Sequence, residues 1–320
     1  MKKLNFLIVM DEISKINYKK DTSLAMAWAI SERGHGLSYC KIDDLWLDQG
    51  VLKIDAQPLS VFRNPDHFYE LGDVATVAAT EFDVILMRKD PPFDMNFLYA
   101  LHLLDYAKRA GVWVVNDPLS VKDCNEKLFA TQFSDLMSPT IVTNKQAHIR
   151  EFIKTHGDVI VKPLDGMGGM GIFRLTADSP NIGSTLEMLT QLGTTPIMAQ
   201  KFIPAITEGD KRVLIVGGKP VDYCLARIPS TGETRGNLAA GGRGVAMPLS
   251  ERERQLAETI VPILLEKGLY FVGLDVIGGL ITEINVTSPT CVREIDDQCG
   301  TQIAVDFIEF IENNITTKAA

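Results

Sequence analysis

FVGLDVIGGLITEINVTSPTCVR, residues 271–293, is the stretch whose reading decides the fold. Apolar positions alternate from Phe271 to Ile277, Gly278 and Gly279 interrupt them, and the alternation resumes from Leu280 to Ile284. Period-two alternation on both sides of a Gly-Gly pair predicts a tight β-hairpin. The polar interruptions are Asp275, Glu283 and Asn285. Glu283 and Asn285 are two residues apart, so on a strand they share a face, and Asp275 across the turn can share it too. Two carboxylates and an amide oxygen on strands form an oxygen-only donor set. That set suits Mg²⁺, with Mn²⁺ as the alternative, and leaves room for substrate phosphates in the coordination shell. A hairpin with a merely solvated polar face fits the same letters.

Composition narrows the function classes. The chain has 320 residues, 46% hydrophobic and 23% charged, as in globular proteins with more than one core. A net charge of −9 argues against a nucleic-acid footprint. No apolar run reaches spanning length, and Asp11 follows the N-terminal apolar run too early for a signal peptide, so a cytoplasmic protein is expected. The cysteines, Cys40, Cys124, Cys224, Cys291 and Cys299, show no CxxC spacing, and every histidine precedes Gly157. A zinc site or a Ser–His–Asp arrangement on the hairpin is therefore not expected.

Working back to the N-terminus, residues 4–10 read as a buried parallel strand. A helix follows, capped by Thr22 or Ser23 and stopped by Gly34. Strand 37–42, a hairpin around Asp48-Gln49-Gly50, strand 84–88, helix 95–109 and strand 112–115 complete an open α/β layer. Ligands gather at the carboxyl ends of such strands. That singles out the segment after Asp11, and Arg88, which can fork onto a substrate carboxylate or sit on the surface.

A boundary is expected at Asn116-Asp117-Pro118, and Asn125 opens a new helix. Helix 145–156 and strand 159–164, carrying Lys162, lead to DGMGGMG, residues 165–171. Bare backbone N–H groups of such a loop can close over polyphosphate oxygens, although most glycine turns are only hairpins; the preceding Lys162 favours the phosphate reading. Strand 197–203 could hydrogen-bond an adenine. Arg212 and Arg227 interrupt the next apolar hairpin. They need anionic partners, in a site or in pairs with Asp210 or Asp222. PSTGETRGNLAAGGRG, residues 229–244, reads as a long lid with Arg235 and Arg243 over an anionic substrate. Helices are expected at 250–268 and 301–315.

Lysine strand, glycine loop, arginine strands, lid and carboxylate hairpin come in an order that resembles the ATP-grasp superfamily. MRKDPPFD (87–94), NEKLF (125–129), KPLDGMGG (162–169), GDKRVL (209–214), the stretch 226–244 and TEINVTSPTCVREI (282–295) resemble bacterial glutathione synthetases over essentially the whole chain. The resemblance implies an N-terminal α/β domain (1–122) and two α+β ATP-grasp subdomains (123–202 and 203–320). It implies ligation of γ-glutamylcysteine to glycine with ATP, through an acyl phosphate, in a homo-oligomer, a tetramer in this family.

Carried onto this numbering, Lys127 and Lys162 contact ATP phosphates and Gly166, Met167, Gly168 and Gly169 cover them. Lys201, Phe202 and Ile203 frame the adenine, and Asp210 meets the ribose. Arg88, Arg227, Asn285 and Ser288 border the dipeptide. Asp275, Glu283 and Asn285 bind the metal, and Arg212, Arg227 and Arg235 supply catalytic charge. Cys291, just past the site turn, is a candidate for a mixed disulfide with product, or a buried inert thiol. Two other readings stand beside this one: a different ATP-grasp ligase, such as a D-alanine–D-alanine enzyme, and a nucleotide-binding regulator without turnover.

Overall fold

The computed structural model describes residues 3–230, 232, 236 and 241–318, with side chains described to residue 315. The first sheet has a parallel centre in the spatial order β2 (Gly36–Cys40), β1 (Asn5–Val9), β7 (Val84–Met87), β8 (Trp113–Val115). β3 (Leu45–Asp48) and β4 (Val51–Val61) form the expected hairpin, and β4 lies antiparallel to β2. Two short strands that the sequence did not announce, β5 (Tyr69–Leu71) and β6 (Ala75–Ala78), also pair with β4. At three and four residues they are too short to show a period.

Helix α1 (Thr22–Glu32) corrects one expectation. Its cap is Asp21, whose carboxylate accepts the Leu24 N–H at 2.7 Å, while Thr22 and Ser23 are buried inside the helix. An anionic acceptor at a helix N-terminus outcompetes a hydroxyl. α2 (Met95–Arg109) runs from Asp94, which caps Phe97 N at 2.9 Å, as its apolar spacing requires. Short helices α3 (Pro118–Asp123) and α4 (Glu126–Ala130) then lead out of the first layer.

The second sheet is antiparallel, in the order β11 (Phe173–Thr176), β10 (Asp158–Pro163), β12 (Ile197–Lys201), β9 (Thr140–Thr143). Helices α5 (Gln146–His156) and α6 (Ile182–Leu189) pack on it. The third sheet runs β15 (Arg243–Pro248), β14 (Lys219–Ile228), β13 (Asp210–Val216), β16 (Phe271–Ile277), β17 (Leu280–Asn285), with α7 (Glu251–Glu266), α8 (Val292–Cys299) and α9 (Ile303–Lys318). The predicted long loop is therefore shorter than expected. Arg243 opens β15, paired with Ile228, rather than ending a lid. Arg235 lies outside the described residues. β9, α6 and α8 were also not anticipated, and strand 197–203 ends at Lys201.

Apolar side chains of the first and third sheets share cores: Leu7, Val9 and Ile85 belong with Val272, Leu274 and Val276, and Phe6, Ile8 and Leu86 with Phe271 and Phe307. The second sheet has its own core around Ile149, Val159, Val161 and Leu186. Asn116 binds the first sheet to the hairpin. Its buried carboxamide donates to Phe271 O and Val286 O, both at 2.8 Å, and accepts from Tyr270 N (2.8 Å) and Phe271 N (2.9 Å). An amide with four partners inside the protein is satisfied on both ends, which fixes the hairpin's position.

Candidate functional site

All three sheets face a cleft of about 480 Å³. Its floor is the β16–β17 hairpin. Asp275 lies directly across from Glu283, and Gly273 across from Asn285, with an irregularity after Asp275. The three polar residues of the opening stretch thus line one cavity.

Four buried cations meet the two carboxylates. Arg212 donates from Nε to Asp275 Oδ1 at 2.6 Å and from Nη2 to Oδ2 at 3.3 Å. Arg227 Nη2 lies 3.0 Å from Asp275 Oδ2 and 2.6 Å from Asp210 Oδ2, off the hydrogen-bonding direction of both, while its Nε donates to Asp210 O at 3.1 Å. Lys162 Nζ donates to Glu283 Oε1 at 3.0 Å, and Lys127 Nζ approaches the same oxygen at 3.5 Å. Burial would raise the Asp275 carboxyl, but Arg212 and Arg227 hold it well below the usual carboxylate range. Burial likewise opposes Glu283, and Lys162 and Lys127 outweigh it. The two arginines thus have anionic partners, one of them the expected Asp210; Asp222 instead pairs with Arg254 at 2.8 Å.

Asp210 differs from its neighbours. Burial, with repulsion from Asp275, pushes its carboxyl up to about 6 in spite of Arg227. Its Oδ1 is buried without a hydrogen-bond partner among the described residues. A buried acceptor without a donor is expensive unless a ligand supplies one.

The donor set accommodates a hard cation only in part as it stands. Glu283 Oε2 and Asn285 Oδ1 have no partner among the described residues, because Asn285 spends its Nδ2 on Gly273 O at 3.1 Å. Both Asp275 oxygens are already held by guanidinium groups. Among the described residues no group of three or more acidic, histidine or cysteine side chains gathers at one point. Oxygen donors supplemented by phosphates and waters suit Mg²⁺, which rarely uses an all-protein cage.

The glycine loop forms the roof. Gly168, Gly169 and Gly171 have positive φ (62°, 84° and 71°), which only glycine adopts freely. Gly166 packs against Pro163, and its carbonyl accepts from Lys127 Nζ at 2.8 Å. Met167 also lines the cleft. At the far end, Lys201 N–H and Phe202 N–H are already committed, to Pro139 O and Asp158 O (both 2.9 Å). Phe202 O and Ile203 N–H are uncommitted among the described residues, an acceptor and a donor of the kind an adenine edge takes. The Arg174 guanidinium lies 3.8 Å from the Phe202 ring centroid.

Arg88 is neither a surface residue nor part of the cleft lining. It is buried behind the wall, donating to Pro289 O at 2.8 Å and Ser23 Oγ at 3.3 Å, while Ser288 Oγ donates to its carbonyl at 3.1 Å. Burial pushes its guanidinium down to about 10, against Asp90 and Asp21. Ser288 does line the cleft, as does the segment after Asp11 through Glu12, Lys15 and Asn17. Cys291 lines it too, with only 2% of the residue exposed; burial raises its thiol pKa, and Arg212 and Arg227 offset part of the rise. Two residues of the site went unread in the sequence. Asn116 sits at the expected boundary and Glu126 beside Lys127 inside the NEKLF stretch, and neither position carries a local signal for its long-range partners.

Residues 4–122 match the family described as "Prokaryotic glutathione synthetase, N-terminal domain", and residues 126–300 match "Prokaryotic glutathione synthetase, ATP-grasp domain". The chain is 55% identical over 311 residues to the glutathione synthetase of Pseudomonas putida, covering 97% of this chain and 98% of that one. It is 52% identical over 305 residues to the glutathione synthetase of Salmonella typhimurium, covering 95% and 97%. Among solved structures, a D-cycloserine synthetase superposes with a TM-score of 0.70 at 12% identity over 97% of this chain and 100% of that one. The D-alanyl-alanine synthetase A of Vibrio cholerae superposes with a TM-score of 0.61 at 13% identity over 99% and 100%. At such identities the superpositions speak for a shared fold alone.

Proposed function

The chain belongs to the prokaryotic glutathione synthetase family, and from that premise we propose how its cleft joins γ-glutamylcysteine to glycine while ATP becomes ADP and phosphate. It is an ATP-dependent carboxylate–amine ligase. One observation carries the assignment of roles: Lys127, Lys162, Arg212 and Arg227, all buried, converge on the hairpin carboxylates. Bringing a peptide carboxylate onto a triphosphate sets two anions against each other, and fixed cations offset that repulsion.

In this reading Lys127 and Lys162 hold the ATP phosphates, covered by Gly166, Met167, Gly168 and Gly169. Phe202 and Ile203, with Lys201, frame the adenine, and the orphan oxygen of Asp210 accepts from a ribose hydroxyl. Asn285 and Ser288 border the dipeptide with Arg227, and Arg88 acts through the Ser288–Pro289 segment that it holds. Arg212 and Arg227 stabilise charge in the transition state; the same role for Arg235 rests on sequence resemblance alone. Asp275, Glu283 and Asn285 would hold Mg²⁺ or Mn²⁺, which when bound neutralises phosphate charge.

The cysteinyl carboxylate attacks the γ-phosphorus, ADP leaves, and an acyl phosphate forms. Glycine's amine then attacks the acyl carbon, phosphate leaves, and the amine proton passes to phosphate or solvent. No histidine lines the cleft among the described residues, so the chain contributes charge and position rather than an imidazole base.

We extend the proposal to three domains (1–122, 123–202, 203–320), a homotetramer and a cytoplasmic location. The division is supported by the separate sheets, and no described helix is long and apolar enough to cross a membrane. A mixed disulfide at Cys291 belongs to the proposal as a slow reaction of a shielded thiol. Mass spectrometry after treatment with oxidised glutathione checks it, and an unmodified Cys291 removes it. The substrate assignment is tested by a coupled assay omitting ATP, γ-glutamylcysteine or glycine in turn. Phosphate release is expected only with all three. Release with D-alanine and ATP alone would point to another ligase of this fold.

A further inference from the structure

Residues 285–288 leave β17 as a turn that enters the dipeptide's proposed surroundings. One side of this turn is held by Asn116, which donates to Val286 O. The other side is held by Glu126. Its Oε1 accepts from Thr287 Oγ1 at 2.8 Å, from Val286 N at 3.3 Å and from Thr287 N at 3.4 Å. Thr287 is buried, and Glu126 is half-buried and lines the cleft. The next residue, Lys127, grips Gly166 O and approaches Glu283. The helix that carries both, α4, is capped by Asn125, which accepts from Lys127 N (3.1 Å) and Leu128 N (3.0 Å) and donates to Leu164 O at 3.2 Å. Adjacent residues of one helical turn therefore grip the substrate turn with an anion and the phosphate loop with a cation.

The anion stands where burial and the nearby Glu283 both work against it, and the Thr287 hydroxyl compensates only in part. A neutral amide could satisfy the same hydroxyl without that penalty. Charge-assisted acceptance from three donors holds the turn more tightly than an amide would.

We propose that Glu126 is a positioning residue: through Thr287 it keeps the turn 285–288 in register with Lys127, so that the acceptor carboxylate and the transferred phosphoryl group are aligned by one turn of α4. This deepens the role assignment above and rests on it. The test is steady-state kinetics on the full-length enzyme. Thr287→Val and Glu126→Ala are expected to lower kcat about 10–100-fold, the range seen when residues that orient a site are removed. The KM for γ-glutamylcysteine should rise while that for ATP stays within about twofold. Thr287→Ser, which keeps the hydroxyl, should recover most of the lost kcat, and the double variant Glu126→Ala/Thr287→Val should be no worse than the poorer single. Wild-type kcat in Thr287→Val, additive losses, or a rise confined to the ATP KM would overturn the inference. Should Glu126→Ala not fold, the contrast between Thr287→Val and Thr287→Ser decides alone. Lys127→Met separates the two levels: an unchanged ATP KM there removes the underlying role assignment, whereas a raised one beside a silent Thr287→Val removes only the positioning role.

Discussion

The hairpin floor and the glycine roof face each other across the same cleft and are built by opposite means. β16 and β17 place Val272, Leu274, Val276, Ile281 and Ile284 in shared cores, and Asn116 locks their ends. Every charge on the floor has a fixed counter-charge. The roof, residues 165–171, leaves Met170 65% exposed, adopts backbone that only glycine tolerates freely, and takes a tie from Lys127 through Gly166 O. Charge that must be preorganised sits on the element least able to move, and the cover sits on the one that can adapt to phosphates. Damage to the floor should therefore appear in the chemical step, and damage to the roof in nucleotide binding.

The largest effect should come from the floor. Arg227→Lys keeps the positive charge but cannot donate to Asp210 O while also standing between the Asp210 and Asp275 carboxylates, as Nε and Nη2 of the guanidinium do. We expect kcat to fall about 10²–10³-fold, the scale of removing one preorganised donor, with a smaller change in the ATP KM. Thermal unfolding of the same variant separates lost chemistry from lost fold. Unchanged kcat with only a raised KM would place Arg227 outside the transition state and erase the contrast between floor and roof.

A smaller effect should follow from Asp210, where pH sharpens the comparison. Free enzyme with a carboxyl titrating at about 6 is protonated below that value and then offers the ribose a neutral, weaker acceptor. The kcat/KM for ATP should fall as pH drops through about 6, towards a plateau about tenfold lower, and level off above it. Stability runs the other way for this group. The ordinary value is 3.8, so between there and about 6 the folded state keeps a proton that the unfolded chain has released. Its stabilising contribution is complete below 3.8 and is lost as pH rises through about 6. Asp210→Asn should flatten the acid limb and lower kcat/KM for ATP about tenfold at pH 8, as expected for losing one charged hydrogen bond. An unchanged limb in that variant would assign it to another group.

Much of the floor was legible because its signals are local. Alternation, the Gly-Gly turn and two-residue spacing gave the hairpin and the shared face of Glu283 and Asn285, which Asp275 across the turn could join. What those carboxylates meet was not legible. Arg212 is 63 residues from Asp275, and Lys162 is 121 from Glu283. Asn116 and Glu126 act across 154 to 170 residues, a separation over which no pattern of apolar letters carries information. The same holds for Arg88: its strand-end position points to the cleft, whereas its partners Ser288 and Pro289, 200 and 201 residues away, stand between it and the cleft. The strands β5, β6 and β9 are three or four residues long, too short for a period to stand out from the surrounding letters.

The smallest effect should come from the roof. A Cβ on Gly166 would stand 2.7 Å from Pro163 Cγ and 3.1 Å from Met170 O, a rigid ring and a backbone atom that cannot both give way in place. The backbone there is not in the left-handed region, so the strain comes from contact alone and the loop can relieve it by shifting outward. Gly166→Ala should raise the ATP KM about fivefold, near the low end of overpacking penalties, and leave kcat nearly unchanged. Loss of kcat without a change in KM would mean that the roof is as rigid as the floor and takes part in the chemical step, because a cover that only encloses phosphates has no way to slow chemistry once they are bound.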